Sequence, residues 1–272
     1  MKIVPLIGPA QPPELHVMTY NVRRRVSGPL VRPADRWRAR RPRLTAMLRA
    51  EQPTVLGVQE AMPDQAAAVG EALGQRYRFV GHGRDAEGRG EGCPLFFDAE
   101  RLELLDGAQT ALSTRPETPG SRSWGSPIPR VLVAATFRDR ETDRRFLALN
   151  THLDVFSPWA RRAGARLVRE RVEAQPWPAI VTGDFNARPA SAPLRELRRG
   201  GLVDAWVAAD ERATREWSTF TRYRHPHARG RRIDGIIVSP DVRVTRAAID
   251  ARRVDGGWPS DHLPVHAVVR LA

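Results

Sequence analysis

The sequence predicts an α+β fold, two β-sheets packed face to face with helices on their outer sides. Three observations carry this. Short apolar runs with strand character recur along the whole chain, helical spacing appears only between some of them, and polar residues gather where the runs end. A chain of 272 residues is long enough to enclose a real core in one large β-rich domain.

The strand-like runs are 15–20, 55–58, 77–80, 95–97, 131–137, 146–149, 179–182, 233–238, 242–249 and 265–271. Their β-branched and aromatic content suits a pleated, half-buried surface. Leu44, Met47 and Leu48 have helical spacing, with Pro42 suited to a first turn. Residues 64–73 read as a helix behind a cap at Asp64. Ser157-Pro158 opens a helix over 159–174, cap residue then proline. Leu194 and Leu197 mark a short helix after Pro193. Loops 22–40, 81–92 and 113–130 are long for a compact core, a property common in functional loops. None reads as an interdomain linker, so the expectation is a short extension over 1–13 and a single domain over 14–272.

Formal net charge is +13. Lys2 is the sole lysine, and the arginines are scattered apart from short clusters such as Arg23-Arg24-Arg25 and 229–232. A polyanion-binding surface and a plain compositional bias toward arginine both account for this. Cys93 is the only cysteine, which excludes a disulfide framework and a cysteine-rich zinc site. The N-terminal apolar stretch is too short for a secretory signal and no run approaches a membrane span. A soluble, cytoplasmic, monomeric protein is expected.

Asn21, Glu60, Asn150 with His152, Asp184 with Asn186, Asp234, and Ser260-Asp261-His262 all sit at the ends or heads of apolar runs. Any one of them could be a turn residue. Together they supply hard oxygen ligands, two histidines and carboxylates to orient them. Such oxygens suit Mg²⁺ or Mn²⁺. Phosphate-ester hydrolysis needs neutralised charge at phosphorus and an aimed water, and a carboxylate-held histidine can move the proton.

The segments Met18-Thr19-Tyr20-Asn21-Val22-Arg23, Gln59-Glu60, Asn150-Thr151-His152-Leu153-Asp154, Gly183-Asp184-Phe185-Asn186-Ala187, Arg232-Ile233-Asp234 and Ser260-Asp261-His262 occur in the order found in the endonuclease/exonuclease/phosphatase superfamily, which the chain resembles over nearly its whole length. The resemblance implies a deoxyribonuclease-like, four-layer α/β/β/α sandwich with two mixed sheets. It also implies roles. Glu60 is the main metal ligand, with Asn21 beside it and Asp261 a further candidate. Asp184 orients or deprotonates the attacking water, Asn186 holds the phosphate, and His262 is a general acid/base buttressed by Asp234. His152 binds a phosphate oxygen and Glu91 orients His152. Whether Asp184 or His262 takes the proton stays open.

The stretch Gly81-His82-Gly83-Arg84-Asp85 with Gly90-Glu91, then Leu112-Ser113, Thr118-Pro119-Gly120-Ser121 and Trp124, resembles a bacterial subgroup distantly similar to deadenylases. Arg130 is either a substrate-facing or a surface arginine. Residues 81–86 match a dinucleotide fingerprint formally but lead into loop and strand, not helix. Trp159 and Trp177 are expected to pack, and Cys93 to be a small buried hydrophobe. The sequence therefore points to a metal-dependent phosphoesterase acting on a phosphate mono- or diester. A small-molecule phosphatase or phosphodiesterase is favoured over a nuclease acting on DNA or RNA. A non-catalytic nucleic-acid-binding module is the reading from another class.

Overall fold

Apolar runs without polar interruption become strands buried on both faces, since both faces must meet hydrophobic layers. In a computed structural model, which describes residues 3–228 and 230–272, this is the arrangement found. Lys2 and Arg229 of the predicted arginine cluster lie outside the described residues. The first half of the chain forms β1 (Leu15–Asn21), α1 (Trp37–Glu51), β2 (Val55–Gln59), α2 (Pro63–Leu73), β3 (Tyr77–Val80), β4 (Leu95–Asp98), β5 (Leu102–Ala111) and β6 (Val131–Asp139). The second half forms β7 (Arg145–His152), α3 (Pro158–Glu173), β8 (Ala179–Asp184), α4 (Ala192–Leu197), β9 (Val203–Asp204), α5 (Ala205–Ala208), β10 (Glu211–Arg212), β11 (Asp234–Val238), β12 (Val242–Ile249) and β13 (Val265–Leu271).

Two mixed sheets result. One runs β10-β12-β13-β1-β2-β4-β3 and the other β5-β6-β7-β8-β11-β9. Between them Val17, Val55, Phe97, Phe137, Phe146, Ile180, Ile236 and Val269 form the inner core. A second apolar layer seats Val168, Val172, Leu194 and Leu197 of α3 and α4 on Leu147, Leu149 and Val181. A third seats Leu44, Met47, Leu48, Val69 and Leu73 of α1 and α2 on Met18, Leu56 and Phe96. The order helix, sheet, sheet, helix is the expected four-layer sandwich. Among the described residues no helix is long and apolar enough to cross a membrane.

The local readings differ in places. Ser157 caps α3 as its sequence suggests, its hydroxyl accepting from Ala160 N at 3.1 Å. Asp64 is not a cap: α2 starts at Pro63 after Met62, and Asp64 in the first turn pairs with Arg25. Helix α1 begins at Trp37, leaving Pro42 inside it. Its first turns are held by buried Arg40, which donates to the carbonyls of Val22, Arg23, Asp35 and Pro259. Strand β5 was hidden because a bulge between Leu104 and Asp106 breaks its alternation and leaves Leu104 and Leu105 exposed. Strands β9 and β10 are two residues each and α5 four, too short for a periodic signal. Trp159 does not pack but is 70% exposed, on the outward side of the first turn of α3.

One polar feature crosses the inner core. Asn150 Nδ2 on β7 donates to the carbonyls of Val58, Cys93 and Pro94 in the opposite sheet region, at 2.8, 3.0 and 3.1 Å. Its Oδ1 accepts from Gln59 Nε2 at 2.7 Å and Thr182 Oγ1 at 3.1 Å. Gly57 lies opposite, where a Cβ would stand 2.1 Å from Thr182 Oγ1 and 2.6 Å from Asn150 Oδ1. Removing the Asn150 amide strands buried polar groups. Asn150→Ala is expected to lose about 2–4 kcal/mol of stability in urea unfolding, and Gly57→Ala at least as much. Wild-type midpoints for both would refute this role.

Candidate active site

Strand register lines up the acidic and imidazole groups. Parallel pairing of β7 with β8 sets His152 against Asp184, and antiparallel pairing of β8 with β11 sets Asp184 against Asp234. Three of the candidate side chains thus occupy one row at the end of one sheet. The other sheet supplies Asn21 at the end of β1 and Glu60 just past β2. His262 arrives on the segment before β13, where Ser260 Oγ donates to Asn21 O and accepts from His262 N. Glu60 and Asn186 both have left-handed backbone, with φ of 60° and 47°. Asn tolerates this region, whereas Glu rarely adopts it, and such strain is often retained at functional sites.

The side chains form one hydrogen-bonded cluster. Asn21 Nδ2 donates to Glu60 Oε1 and Asp184 Oδ2, both at 3.0 Å. Asp184 Oδ1 accepts from Asn186 N at 2.9 Å. Asn186 Nδ2 lies 2.9 Å from His152 Nε2 and 3.0 Å from Leu153 O. His262 Nδ1 is 2.9 Å from Asp234 Oδ2, and its Nε2 lies 3.8 Å from Asp184 Oδ2. The Phe220 ring packs on the His262 imidazole at 4.8 Å.

Burial sets the protonation states. It opposes charge on His262, but Asp234, in hydrogen-bond contact, with Asp184 and Asp261 beyond, pushes the imidazole up to about 10. Burial and the neighbouring Asp234 push Asp184 up to about 7, against the pull of His262 and the Asn186 and Asn21 donors. His152 is held well below its ordinary value by burial and by Arg130, so it is neutral. Burial also raises Asp261. Glu60 is held below the ordinary carboxylate range: burial works against this, but the charged His262 imidazole and the N–H donors of Asn21 and Arg24 outweigh it.

Some expected partnerships are rearranged. Glu91 lines the same pocket as His152, but its carboxylate is taken by Arg84 at 2.9 Å and Arg24 at 3.2 Å, with no hydrogen bond to His152 among the described residues. Two arginines within reach outcompete a neutral imidazole for a carboxylate. Asn21 turns its amide nitrogen toward the two carboxylates, and its Oδ1 accepts from Arg23 N at 2.9 Å. As placed it clamps Glu60 and Asp184 and does not present a ligand oxygen. Asp261 and Glu60 flank the Arg23 guanidinium, at 3.8 and 3.7 Å. Among the described residues, Asp184, Asp234 and His262 offer possible ligand atoms within 4.8 Å of one another. A floor of buried carboxylates with hard oxygen donors is chemistry that fits a divalent cation.

The pocket above this floor has a volume of about 720 Å³. Among the described residues eight arginines reach it: Arg23, Arg24, Arg84, Arg130, Arg161, Arg188, Arg222 and Arg231. Most carry no motif, and in a chain this rich in arginine no sequence signal separates them from the rest. Arg130 is not a surface group: it is 5% exposed and pairs with Asp154. Asp154 in turn accepts from Ser126 Oγ and from Phe156 N and Ser157 N, fixing the loop that brings Val155 and Phe156 to the pocket wall.

Comparison with known proteins agrees with the fold. The sequence model described as the Endonuclease/Exonuclease/phosphatase family matches residues 18–262. An endonuclease/exonuclease/phosphatase family protein from Bacteroides thetaiotaomicron superposes with TM-score 0.88 at 29% identity, over 97% of this chain and 100% of that one. A mannosyl-6-phosphatase from the same organism superposes with TM-score 0.87 at 29% identity, over 94% of this chain and 99% of that one. Protein angel of Drosophila melanogaster is 28% identical over 184 residues, 62% of this chain and 49% of that protein. The chain spans about half the length of the curated relatives it matches.

The His262–Asp234 contact has a direct readout. In Asp234→Asn the desolvation of the imidazole is left with less opposition, so the His262 pKa is expected to fall from about 10 to below its ordinary value of about 6.5. Imidazole NMR titration measures it, and an unchanged value would show that Asp234 does not hold the charge.

Proposed function

The chain belongs to the Endonuclease/Exonuclease/phosphatase family, and from that premise we propose that it is a divalent-metal-dependent hydrolase of small phosphorylated molecules, with sugar phosphates the leading class. The observation that carries this is the buried row of His152, Asp184 and Asp234 with His262, set in a pocket of about 720 Å³ ringed by arginine. That volume falls in the usual range for small-molecule sites. The mannosyl-6-phosphatase relative supports a sugar phosphate.

The cation would be held by Glu60 with Asp261 beside it, and when bound it supplies neutralisation of charge on the phosphate, Mg²⁺ or Mn²⁺ suiting these oxygens. Asp184 takes the proton of the attacking water. His262 is the weaker base candidate because it already carries a proton at neutral pH, held by Asp234. Its charged Nε2–H instead donates to a phosphate oxygen. As the water oxygen bonds to phosphorus the ester P–O bond breaks, and the departing oxygen leaves as an alcohol with a proton from solvent. Asn186 and Asn21 keep Asp184 aimed. Neutral His152 with Asn186 lines the phosphate position without adding charge.

Nuclease action is the second reading, favoured by the surplus of pocket arginines. The two separate in a panel of sugar phosphates, p-nitrophenyl phosphate, bis-p-nitrophenyl phosphate, DNA and RNA, assayed with Mg²⁺ or Mn²⁺. Turnover of the small esters, lost in EDTA and cut by about 10³-fold or more in Asp184→Asn, is the expected result. Strand cleavage with the small esters untouched would overturn the small-molecule reading, and silence in every assay would overturn hydrolysis.

The pH profile follows from the two shifted groups. Asp184 must be ionised, so kcat/KM is expected to rise with pH through about 7. His262 must be protonated, so activity falls as pH climbs toward about 10. An activity that falls as pH rises through 7 would assign the base elsewhere.

A further inference from the structure

Arg130 stands just before β6, and its guanidinium is almost wholly buried. Nε contacts Asp154 Oδ2 at 3.4 Å, while NH1 is buried and meets no hydrogen-bond partner. A buried cationic N–H left unpaired is costly, and an anion delivered by a ligand removes that cost. Arg130 lines the main pocket and also a small chamber behind His152, shared with Glu60, Arg84, Glu91 and Cys93. The chamber holds about 10 Å³, room for roughly one water. Arg84 is fixed there by Glu91 at 2.9 Å. On this side the pocket wall therefore carries positive charge held in place by Asp154 and Glu91.

We propose that this charged wall makes the enzyme select phosphate monoesters over diesters, with Arg130 as the specificity-determining residue. This rests on the hydrolase reading above and refines its substrate class. A monoester presents a terminal phosphate with up to two negative charges and three non-bridging oxygens. One oxygen completes the Arg130 NH1 bond and the phosphate abuts the wall. A diester places a second carbon substituent on phosphorus, carries one charge, and offers this wall one non-bridging oxygen fewer.

The test compares p-nitrophenyl phosphate with bis-p-nitrophenyl phosphate in wild type, Arg130→Gln and Arg130→Lys. Arg130→Gln is expected to cut kcat/KM for the monoester by about 100-fold, with a far smaller loss on the diester. Arg130→Lys should recover part of the monoester rate, since it keeps charge without the planar fork. Equal losses on the two esters, or a wild type that turns over the diester as well as the monoester, overturn the proposal. A diester preference that Asp184→Asn abolishes would leave the hydrolase reading standing and remove only this one; no turnover of either ester removes both.

Because Arg130→Gln could unfold the loop held by Asp154, a wild-type measurement runs beside it. Inorganic phosphate is expected to inhibit at least about tenfold more tightly than dimethyl phosphate, and equal inhibition overturns the proposal. A sugar 6-phosphate and a 5′-phosphorylated oligonucleotide then distinguish the two sources of a terminal phosphate.

Discussion

The separation of the two sheets governs everything the site can do, and it is set by one buried amide. Asn21 and Glu60 come from one sheet, while His152, Asp184 and Asp234 come from the other. A slip between the layers would break the Asn21 hydrogen bond to Asp184, a direct link across the gap. Apolar side chains fill space but hold no particular register. Asn150 does, because its five hydrogen-bond contacts to Val58, Gln59, Cys93, Pro94 and Thr182 are satisfied together only in one arrangement. Gly57 follows from this: it is the position where the sheets come so close around the amide that no side chain fits.

Once the sheets are fixed, electrostatics follow from register. Asp184 and Asp234 lie on adjacent strands as direct partners, both buried. Two buried carboxylates at that spacing resist joint ionisation. His262 resolves the conflict unevenly. It bonds Asp234 through Nδ1 at 2.9 Å and only approaches Asp184, at 3.8 Å. Asp234 is thereby committed to the imidazole, and Asp184 is left as the carboxylate whose affinity for a proton is raised. One packing arrangement leaves a carboxyl that titrates near neutrality beside an imidazole that is still charged there. Sequence reading could name both residues but not decide between them, because the decision depends on which nitrogen faces which carboxylate.

Much of the fold was legible because its strands are buried on both faces and so read as mainly apolar runs: 15–20, 131–137 and 179–182 fall inside β1, β6 and β8. What escaped was either too short for periodicity, like β9 and α5, or irregular, like β5 with its bulge. The candidate site was legible for a different reason. Its residues terminate strands, so their positions in sequence mark positions at one end of the sandwich. Side-chain partnerships were not legible. Nothing in the spacing of Glu91 and His152 shows that Arg84 and Arg24 come from separate loops to claim the carboxylate first.

The arginine surplus shows where composition stops informing. Arg40 and Arg130 are both buried, and the sequence alone does not mark either as buried. Every nitrogen of Arg40 reaches a backbone carbonyl, which makes it a strut between the loop after β1, the start of α1 and the segment before β13. Arg232 is likewise consumed by Asp204 and Glu216. Arg130 has one acidic partner, shared with three other donors, and a buried nitrogen with none. Among buried arginines it is the unfilled hydrogen-bonding capacity, not the charge, that separates a ligand-binding group from a structural one. By that criterion the pocket's basic character is not uniform: it is sharpest at Arg130, beside Glu60, Glu91 and His152.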